Sequence, residues 1–105
     1  MPAALDPLLQ HPTRLTVLAF LGACAEAEFA TVRDHCEVSD SALSKAAAAL
    51  EEAGYVAVKK GYVGKRPRTW LSATKAGRKA LAAHLAELQR LVAAAEAAGA
   101  AQERA

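Results

Sequence analysis

The chain has 105 residues, enough for one small domain, expected over 1–105, with a modest core. Its hydrophobic fraction of 53% overstates that core, because much of it is alanine and only 5% is aromatic. A chain of this kind is marginal alone and gains from a partner subunit. The opening "MPAALDPLLQHP" lacks the charged stretch and long apolar run expected of a secretory leader, and no apolar run approaches the roughly 20 residues of a spanning helix. The expectation is a cytoplasmic protein with no membrane contact, whose Cys24 and Cys36 stay reduced.

In chain order, "ALDPLL" reads as a short lead-in turn, and "HPTRLTVLAFLGACAEAE" as a first helix. Pro12 suits a first helical position, and Leu15, Leu18 and Leu21 recur at helical spacing. Glu28 to Ala30 predicts a brief strand and Thr31 to Cys36 a helix of under two turns. The next helix, expected over 40–53, has the clearest signals. Ser39 is a good N-cap, Asp40 favours the helix dipole, and Gly54 suits the left-handed residue that ends a helix. Leu43, Ala47 and Leu50 form its apolar stripe.

Two strand-like runs, "YVAVKK" and "RTWLS", flank "GYVGKRP", which reads as a basic loop punctuated by glycine and proline. The remainder, from Thr74 to Ala98, reads as one helix about 37 Å long at ~1.5 Å per residue. Leu81, Leu85, Leu88, Val92 and Ala95 follow the spacing of a coiled-coil seam. The end, "GAAQERA", is expected to fray.

The charge is uneven. "KKGYVGKRPRTW", residues 59–70, holds five of the 13 basic residues and no acid; the rest of the chain is net −3. The positive balance is therefore one patch. Two helices joined by the short turn "CEVS", then a basic hairpin and a long helix, make the order of a winged helix-turn-helix: mainly α with a small β-hairpin. The helix-turn-helix falls at about 30–53, the hairpin at about 55–72 and the last helix at about 74–98.

With "HPTRLTVLAFL", "LEEAGYV" and "VKKGYVGKRPRTW" in place, the chain resembles the winged-helix transcriptional regulators of the MarR/ArsR-like group, closest to the small HTH_34-type subfamily. The resemblance covers roughly residues 5–95. It implies a homodimeric DNA-binding regulator, acting as a repressor, whose N-terminal and long C-terminal helices form the dimer interface. The departure is in the recognition helix, where "SDSALSKAAAAL" carries smaller side chains than relatives do.

Burying the apolar stripe turns Ser41, Ser44, Lys45 and Ala48 onto one face, which in this fold meets the major groove. Ser39 and the free N–H groups of the helix start suit a phosphate. Lys59, Lys60, Lys65, Arg66, Arg68 and Thr69 are the DNA-contacting candidates of the wing, with Arg66 assigned to the minor groove and Trp70 to the core. The dimer candidates are Leu81, His84, Leu85, Leu88, Leu91 and Val92. The partners expected are double-stranded DNA at a near-palindromic operator, a second copy of the chain and a small-molecule effector.

Cys24, His35 and Cys36 offer thiol and imidazole, but no C-x-x-C occurs, and neighbours on a helix project apart. No metal, cofactor or enzymatic activity is expected. A thiol- or metal-responsive sensor and a winged-helix module that binds protein rather than DNA stand as alternatives.

Overall fold

The computed structural model describes residues 5–104; Ala4 of the lead-in turn, the other N-terminal residues of the expected domain and Ala105 lie outside the described residues. Asp6 opens a 3-10 turn, Pro7–Gln10, by accepting the Leu8 N–H at 3.0 Å. Helix α1, Pro12–Gly22, follows with proline in its first turn and buries Val17, Leu18 and Leu21. The strand β1 is Ala27–Glu28, one residue earlier and shorter than expected, and α2 is Phe29–Cys36. Glu37 ends α2 in the left-handed region, φ 54°, which a non-glycine residue adopts at some cost. The turn gains in return: the N–H groups of Glu37 and Val38 donate to the carbonyls of Asp34 and Arg33.

Helix α3, Asp40–Glu52, forms as its local signals dictate. Ser39 Oγ accepts the Ala42 N–H at 3.0 Å. Gly54 stands at φ 80°, and the Tyr55 N–H donates to Leu50 O at 2.9 Å, closing the helix end. Arg33 donates to both Asp34 and Asp40, at 3.0 and 2.9 Å, and so ties α2 to the start of α3.

The hairpin differs from its expected form. The strands β2, Val56–Val63, and β3, Arg66–Ala73, absorb most of "GYVGKRP", leaving only Gly64 and Lys65 between them. Gly64 has φ 64° and Lys65 does not share the positive sign, the pattern of a type II′ turn. Pro67 lies within β3, opposite Tyr62. It is tolerated because β1 pairs with β3 only at Trp70 and Leu71, leaving that edge of β3 open farther out. Gly61 is a strand residue, not a turn residue. A Cβ there would meet Trp70 Cζ3 at 3.1 Å, so the glycine makes room for the indole.

The core gathers Leu9, Val17, Leu18, Leu21, Val32, Leu43, Ala47, Leu50, Val56 and Leu71. Trp70 is not among them, contrary to expectation. Leu71 takes the inward position, and strand alternation turns Trp70 to the outer face. Helix α4, Lys75–Arg104, runs on through the segment expected to fray. One glycine in so alanine-rich a run costs only about 1 kcal/mol. At 30 residues the helix spans about 45 Å. The molecule measures 69 × 24 × 20 Å. Its radius of gyration is 17.2 Å, against about 13 Å for a compact chain of this length.

Candidate nucleic-acid interface

α3 and the hairpin face one another across a hollow of about 420 Å³. Ser44, Ala47, Ala48 and Glu51 of α3 line one side; Val58, Lys60, Thr69 and Leu71 of the hairpin line the other. Ser41, Ser44, Lys45 and Ala48 are all exposed, because Leu43, Ala46, Ala47 and Leu50 take the buried side of the same helix. Lys45 also borders a smaller hollow with His11 and Arg14 from the start of α1. That brings Arg14 into the basic surface, a placement with no sequence signal, since the two residues are 31 positions apart. Among the described residues Lys45, Lys60, Lys65, Arg66 and Arg68 have no acidic side chain within ion-pair distance, while Lys59 meets Glu26 at 3.9 Å.

An exposed, cation-bearing helix that follows a tight helix turn, with a basic two-stranded ribbon beside it, is the arrangement of a winged helix-turn-helix. A profile of the winged helix DNA-binding domain matches residues 13–92. The chain belongs to the winged helix DNA-binding domain family.

Solved structures with this fold agree. The chain is similar to a transcriptional regulator homologue from Pyrococcus horikoshii OT3, at 25% identity over 83% of this chain and 86% of that one, with a TM-score of 0.77. It is similar in fold to YusO from Bacillus subtilis, 24% identical over 89% and 70% of the two chains, TM-score 0.68. NadR in complex with 4-hydroxyphenylacetate is 22% identical over 92% and 72%, TM-score 0.65. No curated protein sequence matches the chain.

In winged-helix terms, α3 is the recognition helix and the β2–β3 ribbon is the wing. The fold brings Ser44 together with Lys60 and Thr69, but it spreads the remaining wing candidates. Lys59 sits 5.4 Å from the centroid of the Trp70 ring, on the opposite face of the ribbon from Lys60. Lys65 and Arg66 are at the turn. Arg68 is half-buried, with its Nε buried and unpartnered. The Ser39 hydroxyl oxygen is occupied by its capping bond. Tyr62, 74% exposed near the tip on the Lys60 face, and Glu51 in the hollow are further groups at this surface. Both escaped sequence reasoning because neither is a cation or a cap.

The wing is anchored at its base. The Thr74 hydroxyl donates to Gly54 O at 2.6 Å and accepts the Gly77 N–H at 3.0 Å, while Thr74 N–H donates to Tyr55 O. Tyr55 O–H donates to Asp6 at 2.6 Å, which holds the phenol above its usual pKa. The Asp6 N–H in turn donates to His84 Nδ1 at 3.1 Å. His84 is therefore bound within its own chain and is only 4% exposed. The remaining seam residues divide. Leu81 packs on the core and Leu88 is half-buried, while Leu85, Leu91 and Val92 are exposed.

Burial pushes the Cys36 thiol above its usual pKa, which disfavours the reactive thiolate. Among the described residues, no three His, Cys, Asp or Glu side chains gather as a metal site. Nor is any described helix long and apolar enough to cross a membrane.

Proposed function

We propose that the chain is a cytoplasmic transcriptional repressor that binds a near-palindromic operator as a homodimer. The observation that carries this reading is the shared hollow, where Ser44 of the recognition helix faces Lys60 and Thr69 of the wing, with Lys45 exposed on the same helix. Ser41, Ser44 and Lys45 read the major groove: lysine reaches guanine or phosphate, the serine hydroxyls discriminate weakly, and Ala48 meets a thymine methyl. The small side chains let the helix approach closely. Lys65 and Arg66, carried beyond the body by the longer ribbon, meet the adjacent minor groove.

The dimer reading rests on α4. Every residue from 89 to 104 is exposed, and Leu85, Leu91 and Val92 stand out among them and just before them. A second copy covering that stretch places two recognition helices on half-sites roughly 34 Å apart. An effector fits the hollow of about 400 Å³ between the N-terminal turn and α4, lined by Leu5, Pro7, Tyr55, Ala80, Ala83 and His84 together with the acids Asp6 and Glu87. NadR, whose structure holds 4-hydroxyphenylacetate, is the fold relative that motivates this part.

The test is salt-dependent binding to duplex DNA, followed by selection of bound fragments and footprinting. Arg66→Ala is expected to weaken binding and to flatten the plot of log K against log salt by about one unit of slope. No duplex binding at low salt would favour a protein-binding module instead.

A further inference from the structure

The hollow of about 400 Å³ between the N-terminal turn and α4 sets an apolar wall against the polar groups Asp6, Tyr55, His84 and Glu87. Its volume falls within the range of small-molecule sites. Two of these groups are acids, and no lysine or arginine is among the lining residues. The two acids differ. Glu87 is matched within α4, where Arg90 donates to both of its oxygens at 3.0 and 2.6 Å. Asp6 has no cation within ion-pair distance among the described residues. A half-buried negative charge therefore stands at this hollow without a counter-charge. The hollow between α3 and the wing is different, because Lys60 lines it together with Glu51.

The Asp6 carboxylate is fixed in place and only partly used. Oδ1 accepts the Leu8 N–H at 3.0 Å and Oδ2 the Tyr55 O–H at 2.6 Å. An ionised carboxylate offers about four acceptor sites, so both oxygens keep room for a further donor. Neither Leu8 N–H nor Tyr55 O–H carries a full charge, so neither neutralises the acid.

His84 adds a separate feature. It is only 4% exposed, and it lines the same hollow. Its Nδ1 accepts the Asp6 N–H at 3.1 Å, so the neutral ring carries its proton on Nε2. Among the described residues nothing accepts from that Nε2–H. A donor on so buried a side chain is ordinarily paired, and the hollow is the space left for its acceptor.

We infer that this hollow binds an organic cation, a primary amine or amidine that also carries a hydrogen-bond acceptor. The positive end sits on Asp6, and the acceptor takes the Nε2–H of His84. This rests on the effector reading of the hollow given above and names the class of ligand. Charge decides the class. A carboxylate ligand meets Asp6 with like sign in a half-buried site, where salt screens little. An ammonium group instead makes a charge-assisted hydrogen bond to an acceptor already oriented by two donors. The carbon between the two ends packs on the apolar wall of Leu5, Pro7 and Ala83.

The experiment uses the full chain and two matched probes, tyramine and the 4-hydroxyphenylacetate held in the NadR structure. Both carry a phenol oxygen, so the comparison isolates the charge at the other end. Tyramine is expected to bind roughly tenfold more tightly by calorimetry. The largest amide shifts in NMR titrations should fall at Asp6, Leu8, Tyr55 and His84. Phenethylamine, which lacks the phenol oxygen, should bind severalfold more weakly than tyramine. Asp6→Asn keeps the shape of the side chain and removes its charge, so the affinities for tyramine and the acid should converge. The wild-type comparison holds even if that variant fails to fold. Binding of 4-hydroxyphenylacetate as tight as that of tyramine would overturn the cation class while leaving the effector reading intact. So would tyramine shifts confined to the wing. Absence of binding by all three probes at millimolar concentration would overturn both readings.

Discussion

Helix α4 is one continuous rod with two unlike halves. Over residues 75–88 it is built into the body: Gly77, His84 and Glu87 are buried, Leu81 packs on the core, and Arg78 caps α1 by donating to Gly22 O and Cys24 O at 2.6 and 3.1 Å. Over residues 89–104 every side chain is exposed. The two glycines make the contrast concrete. A Cβ on Gly77 would stand 2.1 Å from Tyr55 O, whereas one on Gly99 would meet nothing within 4 Å. The first half packs on α1 and on the base of the wing. The second half buries nothing against its own chain among the described residues, which is the ground of the proposed dimer.

The largest expected effect sharpens this contrast directly. Gly77→Ala must push the helix off the Tyr55 backbone, and overpacking of that kind costs about 3 kcal/mol. Urea unfolding checks it; a loss below 1 kcal/mol would mean that the contact relaxes freely. Next comes the pair Leu88→Glu with Val92→Glu. Sedimentation should show dissociation to monomers, and operator affinity should fall at least tenfold, about 1.4 kcal/mol. If the pair lowers the unfolding free energy while the assembly state of the folded protein stays unchanged, the seam belongs to its own subunit.

Gly99→Ala is expected to act in the opposite direction to Gly77→Ala, raising stability by about 0.5–1 kcal/mol through helix propensity. A destabilisation measured by the same unfolding assay would place a partner helix against Gly99. The smallest effect concerns Glu87, which accepts two bonds from Arg90, at 3.0 and 2.6 Å, and is held below its ordinary pKa mainly by them. A lowered folded pKa gives stability that is present above the usual carboxylate range and lost as pH falls through the lowered value. The stability gap between wild type and Glu87→Gln should therefore close on acidification, as read from melting temperatures between pH 6 and pH 3. A gap that widens would reverse the sign of this contribution.

The legible parts of the fold were those set by neighbouring residues. Ser39, Gly54 and the Leu43, Ala47, Leu50 stripe announce the recognition helix because a cap, a left-handed closure and an apolar period act within a few residues. The exposed face of Ser41, Ser44, Lys45 and Ala48 followed from that stripe. Glu37 was not legible as a left-handed residue, since its carbonyl partners stabilise a conformation that its own type disfavours. Pro67 and Gly61 read as loop residues because their tolerance in the ribbon depends on an uncovered strand edge and on the Trp70 ring, both remote in sequence.

Composition and local pattern alone determined the order of elements, the recognition helix and the concentration of five of the 13 basic residues in the wing. Only the tertiary structure decided which way each residue points. The 4-3-4-3 spacing of α4 is the same whether a helix packs on its own core or on a partner, and the packing turned Leu81 and His84 inward while leaving Leu85 and Val92 in solvent. Likewise, alternation makes Trp70 and Leu71 opposite in direction but does not say which is inside. Burial of Leu71 in the core beside α1 settled that, and with it the placement of Lys60 and Arg68 on opposite faces of the wing.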